Sequence, residues 1–175
     1  MHISTKPCRT APDRCGSDEG LALRQIFGQF ASGVTVITSG AKGSVHGMTA
    51  NAFMSVSLDP ALVLISLKND SHMRDVIDAE GRFGVSILAD SQQSVSDHFA
   101  GRLVDNAAAQ FDHPGDTPVV AGALAWIACS VEQRHIAGDH TLFIANVDDF
   151  LQSAGTPLLF FGGQYRTLSE GELSQ

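Results

Sequence analysis

The feature that most restricts the fold of this chain is a shortage of helices between its strands. Val34-Thr35-Val36-Ile37-Thr38 is β-branched throughout, a composition that crowds a helix and suits a pleated strand. A turn from Gly40 to Gly43 leads to a second strand near His46 to Phe53. Pro60 then opens an apolar run from Ala61 to Leu67, which reads as a largely buried strand. Phe83 to Leu88 is another. Leu124 to Ile136, Thr141 to Leu151 and Pro157 to Phe161 close the chain, the first two joined by a turn at Ala137-Gly138-Asp139.

Three short helices accompany them. Leu21, Leu23, Ile26, Phe27 and Phe30 recur at near-helical spacing, which predicts a helix over 19–31 that Gly33 stops. Asp70 or Ser71 can cap a second, running to Ala79 with Met73, Val76 and Ile77 inward and Gly81 at its end. Asp90 or Ser91 can cap a third, whose Val95, His98 and Phe99 share a face; the stretch from Gly101 to Gly122, with Pro114 and Pro118, reads as loop. A doubly wound parallel sheet needs a helix after nearly every strand, and no Gly-x-Gly-x-x-Gly follows the first strand. The expectation is a mainly β chain, a closed antiparallel barrel with short helices at its rim.

A length of 175 residues suits one domain, and 43% hydrophobic with 17% charged residues suits a folded one. That domain is expected over 19–170, after a flexible leader at 1–18 that carries Lys6, Arg9 and Arg14 but lacks the apolar block of a signal peptide. A net charge of −8 argues against nucleic acid or an anionic membrane as partner, while leaving room for a small anionic ligand. No apolar run approaches the ~20 residues of a membrane span. Cys8, Cys15 and Cys129 form no Cys-x-x-Cys pair and have no histidine at ligand spacing, so no metal site is expected and a reduced, cytoplasmic setting is.

Three segments are unusually polar for their places. In Gly47-Met48-Thr49-Ala50-Asn51-Ala52-Phe53-Met54-Ser55-Val56-Ser57, the side chains of Thr49, Asn51, Ser55 and Ser57 share one face if the strand is regular. That face is either plain solvent surface or a shelf of small residues on which a planar ligand lies against backbone. Ser66-Leu67-Lys68-Asn69-Asp70-Ser71-His72-Met73-Arg74 leaves a buried strand and enters a helix. Its free N–H groups with Lys68, Ser71 and Arg74 suit a phosphate, or form an ordinary helix cap. In Gly138-Asp139-His140-Thr141, His140 is either a structural histidine or a donor to a ligand.

Taken in order, these segments resemble the flavin reductase family, the small NAD(P)H-dependent partners of two-component flavin monooxygenases. The resemblance rests on Ala31-Ser32-Gly33-Val34-Thr35-Val36-Ile37-Thr38, Gly47 to Phe53, and Ser55-Val56-Ser57-Leu58-Asp59-Pro60 with Leu62-Val63-Leu64. It continues through Gly81-Arg82-Phe83, Phe99-Ala100-Gly101, Gly138 to Ile144, and Pro157 to Phe161 with Tyr165-Arg166, covering about residues 21–168.

The resemblance implies a split β-barrel of the FMN-binding type, usually a homodimer, that binds FMN or FAD and takes hydride from NADH or NADPH. It implies that Thr49, Ala50, Asn51, Ser55, Val56 and Ser57 line the flavin ring and ribityl chain, and that Leu67, Lys68, Asn69 and Ser71 hold ribityl and phosphate. A family hydroxyl is replaced by Met73, so one phosphate contact is missing. Ser32, Gly33 and Val34 are implied near the cofactor edge, Phe99 near the ring or adenine, and His140 at the nicotinamide as the catalytic position. Tyr165 and Arg166 complete the same cleft. Rival expectations are a vitamin-phosphate oxidase on the same barrel, which calls for more basic residues than 11 Lys and Arg supply, a non-catalytic flavin- or heme-binding module, and a purely structural dimer.

Overall fold

Strands dominate the computed structural model of this chain, which describes residues 18–102 and 109–168. In order they are α1 (Asp18–Phe27), β1 (Ser32–Gly33), β2 (Thr35–Ser39), β3 (His46–Ala50), β4 (Phe53–Leu58), β5 (Ala61–Lys68), α2 (His72–Glu80), β6 (Arg82–Ile87) and α3 (Gln93–Phe99). Then come β7 (Phe111–Asp112), β8 (Val119–Val120), β9 (Ala125–Ala137), β10 (His140–Gln152), β11 (Leu159–Phe161) and β12 (Gln164–Arg166).

Seven strands form one antiparallel sheet in the order β3-β2-β6-β9-β10-β5-β4. Its two edge strands, β3 and β4, are consecutive in the chain, with Asn51 and Ala52 alone between them. Three Cα steps cover at most ~11 Å. A flat seven-stranded sheet would put its edges ~29 Å apart. The sheet therefore rolls up until its edges lie side by side, giving the expected barrel with a split at the β3–β4 seam. The smaller sheet β1-β11-β12 and the β7–β8 pair sit outside it.

Two cores follow. Inside the barrel, Ile37, Val63, Ile65, Phe83, Val85 and Phe143 pack with Met73 and Ile77 of α2. On the other side of β2, Val34, Val36, Leu88, Val120 and Leu158 form a second cluster, joined by the partly buried Val95, Phe99, Phe111, Phe160 and Tyr165. Every residue of β2 is buried, since alternate side chains enter alternate cores. Its hydroxyls find carbonyls: Thr35 Oγ1 donates to Ala50 O and Ser39 Oγ to Arg82 O, both at 2.7 Å, and Thr38 to Pro118 O. Helix α2 is capped by Ser71, whose Oγ accepts the Arg74 N–H, and stops at Gly81, left-handed at φ 67°.

Several expectations are corrected. The helix expected to Ala31 ends at Phe27, because Gln29 and Phe30 donate to carbonyls only three residues back and tighten the chain into turns. None of its residues is buried; Ile26, Phe27 and Phe30 are 66%, 65% and 81% exposed. Neither Asp90 nor Ser91 caps the third helix: they lie in a 3₁₀ turn, and α3 starts at Gln93 without a side-chain cap. His98 stays exposed while Val95, Ser96 and Phe99 turn inward. The strand expected over 46–53 breaks after Ala50, and β4 carries a bulge between Ser55 and Ser57, so Thr49, Asn51, Ser55 and Ser57 share no common face. Part of the expected loop forms the β7–β8 pair. The leader, apart from Asp18, and residues 103–108 lie outside the described residues.

Candidate functional site

A cavity of about 180 Å³ opens where β3 ends, α3 ends and the β11–β12 hairpin folds back. Five of its lining residues are ones the sequence singles out: Val34, Thr49, Ala50, Asn51 and Tyr165. Of the other three, Ala100 and Phe160 lie in quoted motifs without an assigned role, and Arg102 in none.

Each wall has a local cause. At Gly47 an added Cβ would fall 2.4 Å from the Phe99 ring, so only glycine lets α3 come this close to β3. Thr49 Oγ1 then donates to Ser96 O at 2.6 Å, and the end of α3 brings Ala100 and Arg102 to the cavity. The opposite wall is the hairpin, turned at Gly162 and Gly163, both left-handed at φ 59° and 78°. Pairing of β11 with β1, Ser32 to Phe160 and Gly33 to Leu159, fixes it against Val34. Phe160 and Tyr165 meet edge to face at 5.7 Å.

A polar frame closes this corner. Tyr165 Oη lies 2.8 Å from Ser96 Oγ and donates to Asp97 Oδ1 at 3.1 Å. The same carboxylate oxygen accepts Arg102 Nη1–H at 2.7 Å, and the Arg102 guanidinium carbon stands 5.8 Å from the centre of the Tyr165 ring. Burial, first of all, raises the Tyr165 pKa; the Asp97 bond and charge add to this, while Ser96 and Arg102 oppose it. Tyr165 is therefore a neutral phenol at neutral pH.

The other two polar segments meet one another. Pairing of β10 with β5 sets His140 opposite Lys68. Asn69 locks the two turns: its N–H donates to Asp139 O at 2.9 Å, its Nδ2 to Gly138 O at 3.1 Å, and its Oδ1 accepts the Thr141 hydroxyl at 2.8 Å. His140 Nδ1 lies 2.8 Å from Asp139 Oδ1, and that hydrogen bond, with the His140 charge, holds the Asp139 carboxyl below its ordinary range. A ring that donates through Nδ1 leaves Nε2 for another partner. Ser66 N–H donates to Ala52 O at 3.2 Å, which continues the β4–β5 pairing toward Asn51, so the cavity rim leads on to the Lys68 turn.

The remaining sequence-derived residues do not line the cavity. Ser55 and Val56 are exposed on β4, and Ser57 Oγ accepts the Asp59 N–H. Leu67 and Met73 are each 1% exposed in the barrel core, so Leu67 offers a ligand only backbone, and Met73 serves packing rather than standing in for a phosphate contact. Ser71 Oγ is occupied as the α2 cap. Phe99 packs in the second core, Gly33 is exposed, and Ser32 Oγ is buried with no partner among the described residues. Arg166 lines an adjoining groove with Gln93 and Leu158. Nothing in the spacing of Arg102 marks it; the fold sets it against both the nearby Asp97 and the distant Tyr165. Phe160 lies in a quoted motif, yet an aromatic there reads equally as core.

No helix among the described residues is long and apolar enough to cross a membrane. Residues 27–169 match the protein family described as flavin reductase like domain. The chain is 46% identical over 151 residues to an NADH-dependent flavin reductase of a Rhodococcus species, covering 85% of this chain and 86% of that one. It is 36% identical over 148 residues to the reductase component of 4-hydroxyphenylacetate 3-monooxygenase from Thermus thermophilus, covering 84% and 95%. Among solved structures, the Streptomyces globisporus NADH:FAD oxidoreductase SgcE6, in complex with NAD and FAD fragments, superposes with a TM-score of 0.80 at 37% identity, covering 87% of this chain and 94% of that one. With nearly all of its described length matched in this way, the chain belongs to the flavin reductase family.

Proposed function

We propose that this chain is an NADH-dependent flavin reductase that supplies reduced FMN or FAD to a partner monooxygenase. The observation that carries this is the make-up of the cavity. Val34, Ala50, Ala100 and Phe160 give it small or apolar walls that suit a flat heterocycle, and the hydroxyls of Thr49 and Tyr165 are already engaged within the protein. Asn51 and Arg102 remain to meet the polar edge of a ring, so the residues present fit a flavin.

When bound, flavin supplies the chemistry itself, accepting at N5 the hydride that leaves C4 of the nicotinamide. The protein's part is placement: its residues would hold the two rings so that the hydride can pass between them. Asn51 and the backbone of 49–51 hold one ring, and Phe160 with Tyr165 keeps water from one side of it. His140, steered by Asp139, offers Nε2 to the nicotinamide nucleotide, while Lys68 and the α2 N–H groups take the flavin phosphate. NADH is favoured over NADPH because the chain's 11 Lys and Arg are a small supply for holding a further phosphate. We place the chain in the cytoplasm, where NADH is at hand, as one domain over 19–170. We place it also in a homodimer, whose second copy covers the apolar row of α1.

Steady-state NADH consumption with FAD, FMN and riboflavin in turn, and NADPH for comparison, tests the proposal. It requires turnover with flavin and none without it. For His140→Ala, the expected result is a raised KM for NADH with the flavin Kd nearly unchanged; a large loss of flavin binding would move His140 to the flavin site.

A further inference from the structure

We propose that Arg102 is the cofactor-contacting cation of this cavity, and that it holds reduced flavin more tightly than oxidised flavin. This rests on the flavin reading above. Its basis is the clamp described there. Asp97 Oδ1 accepts one N–H of the guanidinium at 2.7 Å, and the Tyr165 ring supports the group at 5.8 Å. Tyr165 is itself tied to Ser96 and Asp97, so the clamp has a fixed base. One N–H of five is thus used, and no other partner for Arg102 is found among the described residues. Among the described residues, Arg102 is also the one charged side chain on a wall otherwise of small, apolar or already bonded groups.

The chemistry gives such a cation a use. When the C4–H bond of the nicotinamide breaks and the N5–H bond forms, the electron pair carried with the hydride leaves one negative charge on the flavin. That charge is spread toward N1 and the C2 carbonyl and lasts until a solvent proton neutralises it. Oxidised flavin carries no such charge on its ring. A guanidinium held at the cavity wall therefore discriminates between the two forms, and charge-assisted hydrogen bonds are the stronger kind. Asp97 and Tyr165 are positioning residues: they act through Arg102.

The test is a pair of titrations on the whole protein, with oxidised FAD by fluorescence and with dithionite-reduced FAD under anaerobic conditions. Arg102→Met is expected to weaken the reduced form roughly tenfold more than the oxidised form, the effect of losing one charge-assisted contact. For a two-electron couple that is a fall of about 30 mV in the potential of the bound flavin. Arg102→Lys, which keeps the charge but not the planar fork, should recover part of the difference. The side chain is 59% exposed, so neither variant threatens the fold. An unchanged ratio of the two affinities in Arg102→Met, with flavin still bound, would overturn this inference and leave the flavin reading standing. Wild-type protein that takes up neither form would overturn both.

Discussion

Replacing Gly84 by alanine should damage this protein severely, and the amount can be worked from contacts. Strand β6 passes so close to the β7–β8 pair that a Cβ at Gly84 would lie 2.2 Å from Pro118 O and 2.9 Å from both Thr38 Oγ1 and Val119 Cγ1. The nearest obstacle is backbone and cannot rotate aside. Relief requires Pro118 and Val119 to retreat about 1 Å, to an ordinary C···O separation of about 3.3 Å. That retreat breaks the buried bond from the Thr38 hydroxyl to Pro118 O and strains the 2.8 Å bond from Val120 N–H to Ser86 Oγ. Two such bonds are worth about 1 kcal/mol each. Overpacking adds about 1–3 kcal/mol, so the total is about 3–5 kcal/mol. At this chain length 1 kcal/mol lowers Tm by about 2–4 °C, which puts the expected fall at roughly 6–20 °C by calorimetry. Val120 belongs to the cluster of Val34, Phe160 and Tyr165 that backs the cavity, so flavin affinity should fall as well. A Gly84→Ala protein melting within about 2 °C of wild type would refute this account of the packing.

Other expectations concern the core and the surface. Met73→Ala should cost about 2–5 kcal/mol of stability in urea titrations while leaving the Kd for oxidised flavin unchanged, because its side chain fills the barrel rather than touching a ligand. A selective loss of flavin affinity would return Met73 to the phosphate site. The His46 pKa is lowered, by burial first and by His72 second, the two rings standing 4.7 Å apart. The unfolded chain then binds the proton more tightly, so this contribution to stability is complete above the ordinary value of 6.5 and is lost as pH falls from there through the lowered folded value. His46→Gln should flatten the decline of the urea midpoint over that window; a decline as steep as in wild type would assign it to other groups.

Much of the barrel is legible in the sequence because strand formation here is local: β-branched runs, turn glycines and the Gly138-Asp139 reversal each declare themselves. The break at Asn51 does not, since small residues on either side read as one continuous strand, and only closure of the rolled sheet requires a crossing there. The site divides in the same way. Thr49, Ala50 and Asn51 are visible as a run of small residues, and the register of β10 on β5 joins Lys68 to His140. Arg102 is invisible, because its meaning comes from Asp97 and Tyr165, one near in the chain and one far. Ser55 to Ser57 are ambiguous for the opposite reason: hydroxyls on a bulged edge strand, outside the cavity lining, read equally as solvent surface or ligand shelf.

Anaerobic single turnover tests the central claim most directly. With FAD and NADH in equal amounts, the protein should bleach the flavin band with one NADH oxidised per flavin, and NADH alone should stay unchanged. Flavin that binds but keeps its oxidised spectrum in the presence of NADH, or NADH that is consumed without flavin, would contradict it.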